Sequence, residues 1–453
     1  MVLPNGFSNL LDISEWKLTP YQILVLGFAG LILCGALLLM MPMASVAGQS
    51  LSFIDALFTS TSAVCVTGLI VVDTGTYFSL FGQLVIILLI QAGGLGIMTM
   101  ATLMALVMRR KIQLRERLIM QEALNQLTVS GIVRLTQYII LITLLIEFIG
   151  GTILAIRWYS ELGIQGIYFG YWHAVSSFCN AGFDLFGNFS SLTRYVEDII
   201  VNLTITSLII LGGIGFSVMF DVWDNRQWRK LRLHTKLVLT TTSTLLVFGT
   251  LVILLLEMNN PNTLGPLTWQ GKFLASYFQS VTPRTAGYNT VDIGKLQDAT
   301  VFFMVILMFI GASPASTGGG IKTSTIGVLI AAVWTLISGK HDVEVFKRRI
   351  SQELVYKAFS IFFIAAILVI FVTMMMSITE KASFLQILFE VVSAFGTVGL
   401  TTGITPDLTE YGKMWIIVTM FAGRVGPVTL ALALALRTRK GMMHYPEGKI
   451  SIG

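Results

Sequence analysis

Four short segments of the chain carry the residues that could bind a cation through backbone oxygens. Each has a glycine at its third position, and they read Val66-Thr67-Gly68-Leu69 (segment 1), Asn180-Ala181-Gly182-Phe183 (segment 2), Thr285-Ala286-Gly287-Tyr288 (segment 3) and Thr397-Val398-Gly399-Leu400 (segment 4). Glycine tolerates positive φ, which lets successive carbonyls turn toward one axis. A ring of carbonyl oxygens can replace the hydration shell of a potassium ion. No segment contains an acidic side chain, so together they predict a cation pore that selects ions through its backbone.

The spacing of the segments indicates one unit repeated four times. The glycines of successive segments lie 114, 105 and 112 residues apart. A single glycine of this kind usually marks an ordinary turn, but four at a shared position favour a ring around one axis. Carbonyls at the second and third positions should face the ion, and the first residues should add a lower ring. Because the other residues differ between segments, we expect weaker discrimination between potassium and sodium than in a potassium channel.

A glycine-rich loop interrupts the apolar run that follows segment 3. It reads Gly311-Ala312-Ser313-Pro314-Ala315-Ser316-Thr317-Gly318-Gly319-Gly320-Ile321-Lys322. Proline removes a backbone donor and three consecutive glycines favour coil over helix. The loop lies 24 to 35 residues beyond Gly287, a distance that predicts a position below the segments. Non-helical backbone at membrane depth is tolerated where it lines water or is buried in protein. We interpret the loop as a gate, with a static kink in a packed span as the alternative.

Arg424 stands within the last long apolar run, in the sequence Gly423-Arg424-Val425-Gly426-Pro427. An arginine in mid-span costs at least about 2.5 kcal/mol on insertion scales, so it should face the protein interior or a wet cavity. It follows Gly399 by 25 residues, which is the depth of the glycine-rich loop after segment 3. We expect it to lie beneath the segments, repel resident cations and bond carbonyls of the loop. A purely structural ion pair with Glu390 is the alternative.

The composition indicates that lipid is the main solvent of the elements that position these residues. Of the 453 residues, 55% are hydrophobic and 12% are charged, against about 25% charged residues in an ordinary soluble domain. Apolar runs of the length that crosses a bilayer, about 20 residues, occur at 21–43, 77–107, 135–156, 197–220, 237–256, 299–337, 357–377 and 413–436. Shorter apolar stretches, which fit re-entrant helices, occur at 52–64, 168–179, 270–282 and 384–395.

These elements predict an all-α membrane protein with four pseudo-symmetric repeats around one central pore. Each repeat reads as a span, a re-entrant pore helix, a segment and a second span. The expected boundaries are 1–110, 111–230, 231–350 with the glycine-rich loop, and 351–453 with a short tail. Because each repeat crosses the membrane twice, successive repeats keep the same orientation.

Basic residues cluster between the repeats and in the tail. They are Arg109, Arg110, Lys111, Arg115, Arg117, Arg226, Arg229, Lys230, Arg232, Lys236, Lys340, Lys347, Arg348, Arg349, Arg437, Arg439, Lys440 and Lys449. The positive-inside rule makes that side, and both termini, cytoplasmic. This distribution accounts for the net charge of +6 without nucleic acid, and the basic loops suit anionic membrane lipids.

Nothing in the sequence predicts an enzyme or a resident cofactor. Its four histidines are scattered without metal-ligand spacing, the HExxH motif is absent, and Ser, His and Asp do not cluster as a hydrolase needs. The three cysteines imply neither a disulfide scaffold nor a metal site.

The motifs together resemble those of the Trk/Ktr/HKT superfamily of potassium transporters, and within it the membrane subunits of bacterial Ktr systems. The resemblance covers essentially the whole chain. Besides the four segments and Arg424, it is carried by Gly93-Gly94-Leu95-Gly96, Thr282-Pro283-Arg284, Phe395-Gly396, Ala315-Ser316-Thr317 and Gly320-Ile321-Lys322.

The resemblance implies potassium uptake through a bacterial cytoplasmic membrane, with sodium as activator. It implies a homodimer with one pore per protomer and a cytoplasmic RCK octamer of KtrA or KtrC type, which binds ATP, ADP or cyclic di-AMP. Family members with serine in segment 1 tend to pass sodium, so Gly68 favours potassium here. A sodium-coupled potassium symporter of obligatory stoichiometry remains the alternative.

Overall fold

The computed structural model describes residues 19–96, 99, 118–121 and 132–434. The regular secondary structure of those parts is almost entirely helical. The first two repeats contain α1 (Pro20–Leu39), α2 (Phe53–Val64), α3 (Thr74–Tyr77), α4 (Leu80–Leu95), α5 (Ile132–Leu162), α6 (Ile164–Phe178), α7 (Ile199–Ile214) and α8 (Phe216–Asn225). The last two contain α9 (Leu233–Glu257), α10 (Trp269–Val281), α11 (Asp298–Phe309), α12 (Thr323–Ile337), α13 (Gln352–Thr379), α14 (Phe384–Gly396), α15 (Glu410–Val425) and α16 (Pro427–Leu434). A hairpin of β1 (Glu344–Val345) and β2 (Arg348–Arg349) precedes α13.

Each repeat begins with a long continuous helix. Within the described residues, four helices are long and apolar enough to cross a membrane: Tyr21–Leu39, Val133–Leu162, Leu233–Glu257 and Gln352–Thr379. They correspond to α1, α5, α9 and α13. At 1.5 Å per residue, helices of this length match a hydrocarbon core of about 30 Å.

Each long helix is followed by a re-entrant helix too short to span. These helices, α2, α6, α10 and α14, have 12, 15, 13 and 13 residues. Serine or threonine caps begin three of them, where Ser52, Thr268 and Ser383 accept hydrogen bonds from backbone amides of the first turn. One fully buried phenylalanine fixes each helix in the core: Phe58, Phe178, Phe278 and Phe389. All four end within four residues of the first residue of segments 1 to 4.

The second spans of repeats 2 and 4 are broken, and in repeat 1 the helix ends at Leu95, whereas the sequence predicts one span for each of these apolar runs. Their first halves end at Gly96, Gly215 and Gly426, with φ of 85°, 99° and 94°. Such left-handed φ values end a helix and suit only glycine well. In repeat 2 the chain bends by 94° between α7 and α8. In repeat 3 the break is the predicted loop, between Phe309 and Thr323.

Candidate ion pathway

The four glycine segments meet in one closed ring. An atom added as Cβ on each glycine would have the carbonyl oxygen of the next segment's second residue as its nearest neighbour: Gly68 faces Ala181, Gly182 faces Ala286, Gly287 faces Val398 and Gly399 faces Thr67. A Cβ on Gly182 would lie 2.6 Å from the Ala286 oxygen and 2.8 Å from Cα of Gly287. The segments therefore follow one another around an axis in chain order, with no room for side chains at the glycines.

Backbone amides of the segments point away from this ring. The amide of each second residue donates to a carbonyl in the last turn of its own re-entrant helix: Thr67 to Ser62 at 2.7 Å, Ala181 to Ser176 at 2.8 Å, Ala286 to Thr282 at 3.0 Å and Val398 to Ser393 at 2.8 Å. These four donors are therefore bonded behind the ring. The helix carboxyl ends also bring partial negative charge toward it, which favours a cation.

The first and third residues of every segment have positive φ. The values are 58° and 92° in segment 1, 60° and 70° in segment 2, 72° and 81° in segment 3, and 51° and 90° in segment 4. The sequence predicted this only for the glycines. At Val66, Thr285 and Thr397 a β-branched side chain is rare in this region, and such backbone costs of order 1–3 kcal/mol. This positive φ could not be predicted from the sequence, because Val and Thr disfavour the conformation that the surrounding packing imposes.

The glycine-rich loop lies directly against the lower ends of segments 3 and 4. Gly319 donates its amide to Oγ1 of Thr397 at 2.9 Å, and a Cβ on Gly318 would collide with the side chain of Thr285. The Thr317 hydroxyl donates to the carbonyl of Phe178 at the end of α6, at 3.2 Å. The loop is therefore adjacent to the first residues of the segments.

The two helix ends at the break in repeat 2 hold the loop through hydrogen bonds. Ser313 and Thr317 donate their amides to the carbonyls of Gly213 and Gly212 at 3.0 and 3.2 Å. The Phe216 amide donates to the Ala315 carbonyl at 2.8 Å, next to Pro314.

Inside the loop, short contacts close its two ends. The hydroxyls of Ser313 and Thr323 are 2.9 Å apart, and the Ser316 hydroxyl donates to the Ser313 carbonyl at 2.6 Å. Gly311 packs against Gly319 and Gly320. The two ends of the break are thereby joined into one compact turn.

Two cationic side chains donate to carbonyls of the loop: Arg424 from α15 and Lys322 from the end of the loop itself. The guanidinium of Arg424 donates to the carbonyls of Thr317 and Gly93, and to that of Gly94 at 3.2 Å. Nζ of Lys322 donates to the Gly318 carbonyl at 2.7 Å. Arg424 thus connects repeat 4 with repeats 3 and 1.

Glu390 has other partners than Arg424. Its carboxylate accepts from the hydroxyls of Thr401 and Thr405 at 2.8 and 2.5 Å. The alternative in which Arg424 pairs with Glu390 is therefore not what the structure has.

Every predicted site residue lies in the ring of segments, in the loop beneath it or, in the case of Arg424, in α15 beside the loop. All eight non-glycine residues at the first and second positions of the segments are fully buried. Across the described ranges, no group of three or more His, Cys, Asp or Glu side chains is placed to hold a metal ion. Backbone oxygens are accordingly the ligands that the ring offers. Sequence reasoning missed the side-chain contacts between segments 2 and 3, which join residues about 105 positions apart.

A ring of buried carbonyls over a polar loop, carried by helices long enough to cross a bilayer, is the architecture of a membrane cation transporter. The chain belongs to the TrkH family of cation transport proteins, whose family match covers residues 17–444. This confirms the predicted superfamily and the four-repeat helical fold. The family is one of transporters and not of enzymes.

Individual relatives agree with this assignment. The chain is 47% identical over 441 residues to Ktr system potassium uptake protein B of Bacillus subtilis (strain 168), covering 97% of this chain and 98% of that protein. It is 41% identical over 444 residues to potassium/sodium uptake protein NtpJ of Enterococcus hirae, covering 96% and 98%. The crystal structure of the potassium transporter TrkH from Vibrio parahaemolyticus matches with a TM-score of 0.74 over 93% of this chain and 86% of that one. At 19% identity, that structure supports the fold alone.

Proposed function

We propose that this chain is the potassium-translocating membrane subunit of a Ktr-type uptake system. The observation that carries the proposal is the closed ring, in which each glycine abuts a carbonyl oxygen of the next segment. With their amides bound to the re-entrant helices, the segments have carbonyl oxygens left to coordinate a dehydrated ion. The relatives are named potassium uptake proteins, which supports potassium as the ion.

In this proposal the selectivity filter consists of segments 1 to 4. The second-position and glycine carbonyls form the main ion sites, and those of Val66, Asn180, Thr285 and Thr397 form a lower ring. The four-repeat division at 1–110, 111–230, 231–350 and 351–453 belongs to the same proposal. Parts of its first boundary and the whole tail lie outside the described residues.

The glycine-rich loop is the proposed gate. It lies against Thr285 and Thr397, so an ion leaving the lower ring meets it next. Arg424 bonds a loop carbonyl from below, which favours the closed arrangement and adds a positive charge that repels cations. Opening would require the loop to leave the carbonyls of Gly212 and Gly213.

The assembly belongs to the proposal as well. We expect a homodimer in a bacterial cytoplasmic membrane with both termini inside, and a nucleotide-binding RCK octamer on the cytoplasmic face. Exposed basic residues at that face, Arg229, Lys230, Arg348 and Arg349 among the described ones, suit an acidic partner or anionic lipid. The word "system" in the relatives' names implies a further subunit for those proteins.

Flux through purified protein in liposomes tests the proposal. Rubidium or potassium uptake driven by an inside-negative potential, without sodium, is the expected result, and empty liposomes are the control. Uptake should rise when the RCK octamer and its nucleotide are added. Absence of potassium-dependent flux from well-folded protein would end the proposal.

One relative's name favours a second function. NtpJ is called a potassium/sodium uptake protein, so the same assay is run with and without sodium. Stimulation by sodium of a flux that also runs without it supports the pore with sodium as activator. An absolute requirement for sodium, co-transported at fixed stoichiometry, supports the symporter.

A further inference from the structure

The four filter segments are attached to their re-entrant helices in two different ways. In segments 1 and 4 a serine hydroxyl accepts a hydrogen bond from the glycine amide. Ser62 Oγ accepts from Gly68 at 3.0 Å, and Ser393 Oγ accepts from Gly399 at 3.1 Å. These hydroxyls secure the glycines and leave the carbonyls of the residues that follow them uninvolved.

In segments 2 and 3 the hydroxyl donates to a carbonyl instead. Ser176 Oγ donates to the carbonyl of Phe183 at 2.9 Å, and Thr282 Oγ1 donates to the carbonyl of Tyr288 at 2.5 Å. Both acceptors are the residues that follow the glycine. A carbonyl pulled toward the helix in this way is turned away from the axis, so segments 2 and 3 lose an outer ligand.

Tyr288 extends this difference across the boundary between two repeats. Its side chain is fully buried, and its hydroxyl donates to the carbonyl of Phe183 at 2.7 Å. Phe183 therefore accepts two O–H hydrogen bonds, which occupy both lone pairs of its oxygen. The corresponding residues of segments 1 and 4 are Leu69 and Leu400, which have no donor to offer.

A second contact joins the same two segments below the glycines. The amide group of Asn180 and the hydroxyl of Thr285, both fully buried, are 3.0 Å apart. With the amide nitrogen turned toward the carbonyls of Ile209 and Ser177, each at 3.1 Å, the amide oxygen accepts from Thr285. In segment 4 the matching hydroxyl, that of Thr397, accepts instead from the loop.

The outer loops add a third connection. Beyond the ring, the Leu192 amide donates to the carbonyl of Asn289 at 3.1 Å. The amide of Asn289 donates back to Oγ of Ser191 at 3.1 Å. Segments 2 and 3 are thus joined above, at and below the level of their glycines.

We propose that segments 2 and 3 form a rigid half of the filter, and that the Tyr288 hydroxyl is a specificity-determining brace for potassium over sodium. A sodium ion is smaller and needs its oxygens closer. A braced half-ring cannot close in around it, whereas an unbraced one can. The inference rests on the proposed potassium function and adds a residue outside the ion's own ligands.

The test substitutes Tyr288→Phe, which removes one oxygen and keeps the ring packed. The matched control is Tyr168→Phe, which removes a hydroxyl bonded to Gln83 at 3.1 Å in the first turns of α6, away from the filter. Potassium and sodium uptake are measured in separate liposome experiments at equal driving force. The potassium-to-sodium ratio should fall by up to about tenfold in Tyr288→Phe, the factor that one buried hydrogen bond is worth, and stay constant in Tyr168→Phe.

A second variant, Thr285→Val, removes the lower contact with little change in shape. Thr285→Val should lower the potassium-to-sodium uptake ratio by a smaller factor. If Tyr288→Phe does not reach the membrane folded, Thr285→Val becomes the test of the brace. A ratio at the wild-type value in the folded variants overturns the brace, as does an equal fall in Tyr168→Phe. A wild-type protein without potassium flux refutes the proposed function instead, so the two failures are distinguishable.

Discussion

The filter ring and the glycine-rich loop lie next to each other but are held in opposite ways. Segment amides donate to the re-entrant helix of their own repeat. Loop amides donate to repeat 2 at Gly212 and Gly213 and to repeat 4 at Thr397. The backbone of the ring is therefore held by local contacts, and side chains join segments 2 and 3 across repeats. The backbone of the loop depends on how three repeats are placed relative to one another.

The two layers also differ in charge. The ring offers only backbone oxygens, whereas the loop contains Lys322 and is contacted by Arg424. In the proposed function, a cation is stabilised in the ring and repelled at the loop. Recognition of the ion then belongs to the ring and control of its passage to the loop.

The largest expected effect comes from a side chain added inside the ring. Gly182→Val adds a side chain 2.6 Å from the Ala286 oxygen at a residue with φ of 70°. We expect potassium flux to fall by about a hundredfold, corresponding to roughly 3 kcal/mol of overpacking and strain. Rubidium uptake measures it. Gly30→Ala is the control, because no atom lies within 4 Å of that position, and equal loss in both variants would contradict a tight ring.

Shortening the glycine-rich loop should change potassium flux in the opposite direction. Deletion of several residues within 312–320 removes the obstruction beneath segments 3 and 4. Potassium flux through the purified chain alone should rise about tenfold, as expected when a barrier falls by roughly 1.4 kcal/mol. Unchanged or reduced flux in a folded deletion variant would show that the loop is a static kink.

Replacing the charge under the loop should act in the same direction but more weakly. Arg424→Gln removes the positive charge and keeps a donor for one carbonyl, so basal flux should rise about fivefold, or roughly 1 kcal/mol. Arg157→Gln, which loses an ion pair with Asp198 at 2.7 Å far from the loop, is the control. Loss of the Arg424 variant from the membrane would favour a role in folding alone.

The smallest expected effect concerns the outer entrance to the ring. Asp184 follows segment 2 in the connecting loop, and burial, with a smaller contribution from the charge of Asp73, raises its pKa to about 7. Its negative charge therefore appears only as the external pH rises through 7. The potassium concentration for half-maximal uptake should then fall about twofold between pH 6 and 8, and Asp184→Asn should abolish this change.

The raised pKa of Asp184 also makes the free energy of unfolding depend on pH. The folded protein keeps a proton on Asp184 that the unfolded chain releases near the ordinary value of 3.8. Stability from this group is therefore full at low pH and is lost as the pH rises from about 4 through 7. Thermal unfolding of Asp184→Asn should lack that part of the pH dependence, and a wild-type curve identical to the variant's would contradict it.

Sequence reasoning located the ring and the loop because both depend on glycine, whose backbone freedom is visible in the residue type. It could not reveal the left-handed backbone of Val66, because packing imposes it against the preference of the residue. It also missed the breaks at Gly96, Gly215 and Gly426, because glycines inside an apolar run barely change its hydropathy. The contact between Tyr288 and Phe183 could not be predicted from the sequence, because only the closed ring brings these residues together.

The single-glycine breaks of repeats 1, 2 and 4 explain how the longer break in repeat 3, the glycine-rich loop, is held in place. A helix that stops inside the membrane leaves terminal carbonyls without intrahelical partners. Those of Gly93 and Gly94 receive Arg424, and those of Gly212 and Gly213 receive loop amides. The carbonyl of Gly423 receives the amide of Gly320 at 3.3 Å. The breaks in repeats 2 and 4 therefore bind the loop directly, and the break in repeat 1 binds the arginine that contacts it. Repetition of one helix break thus supplies the loop's binding partners without any additional element.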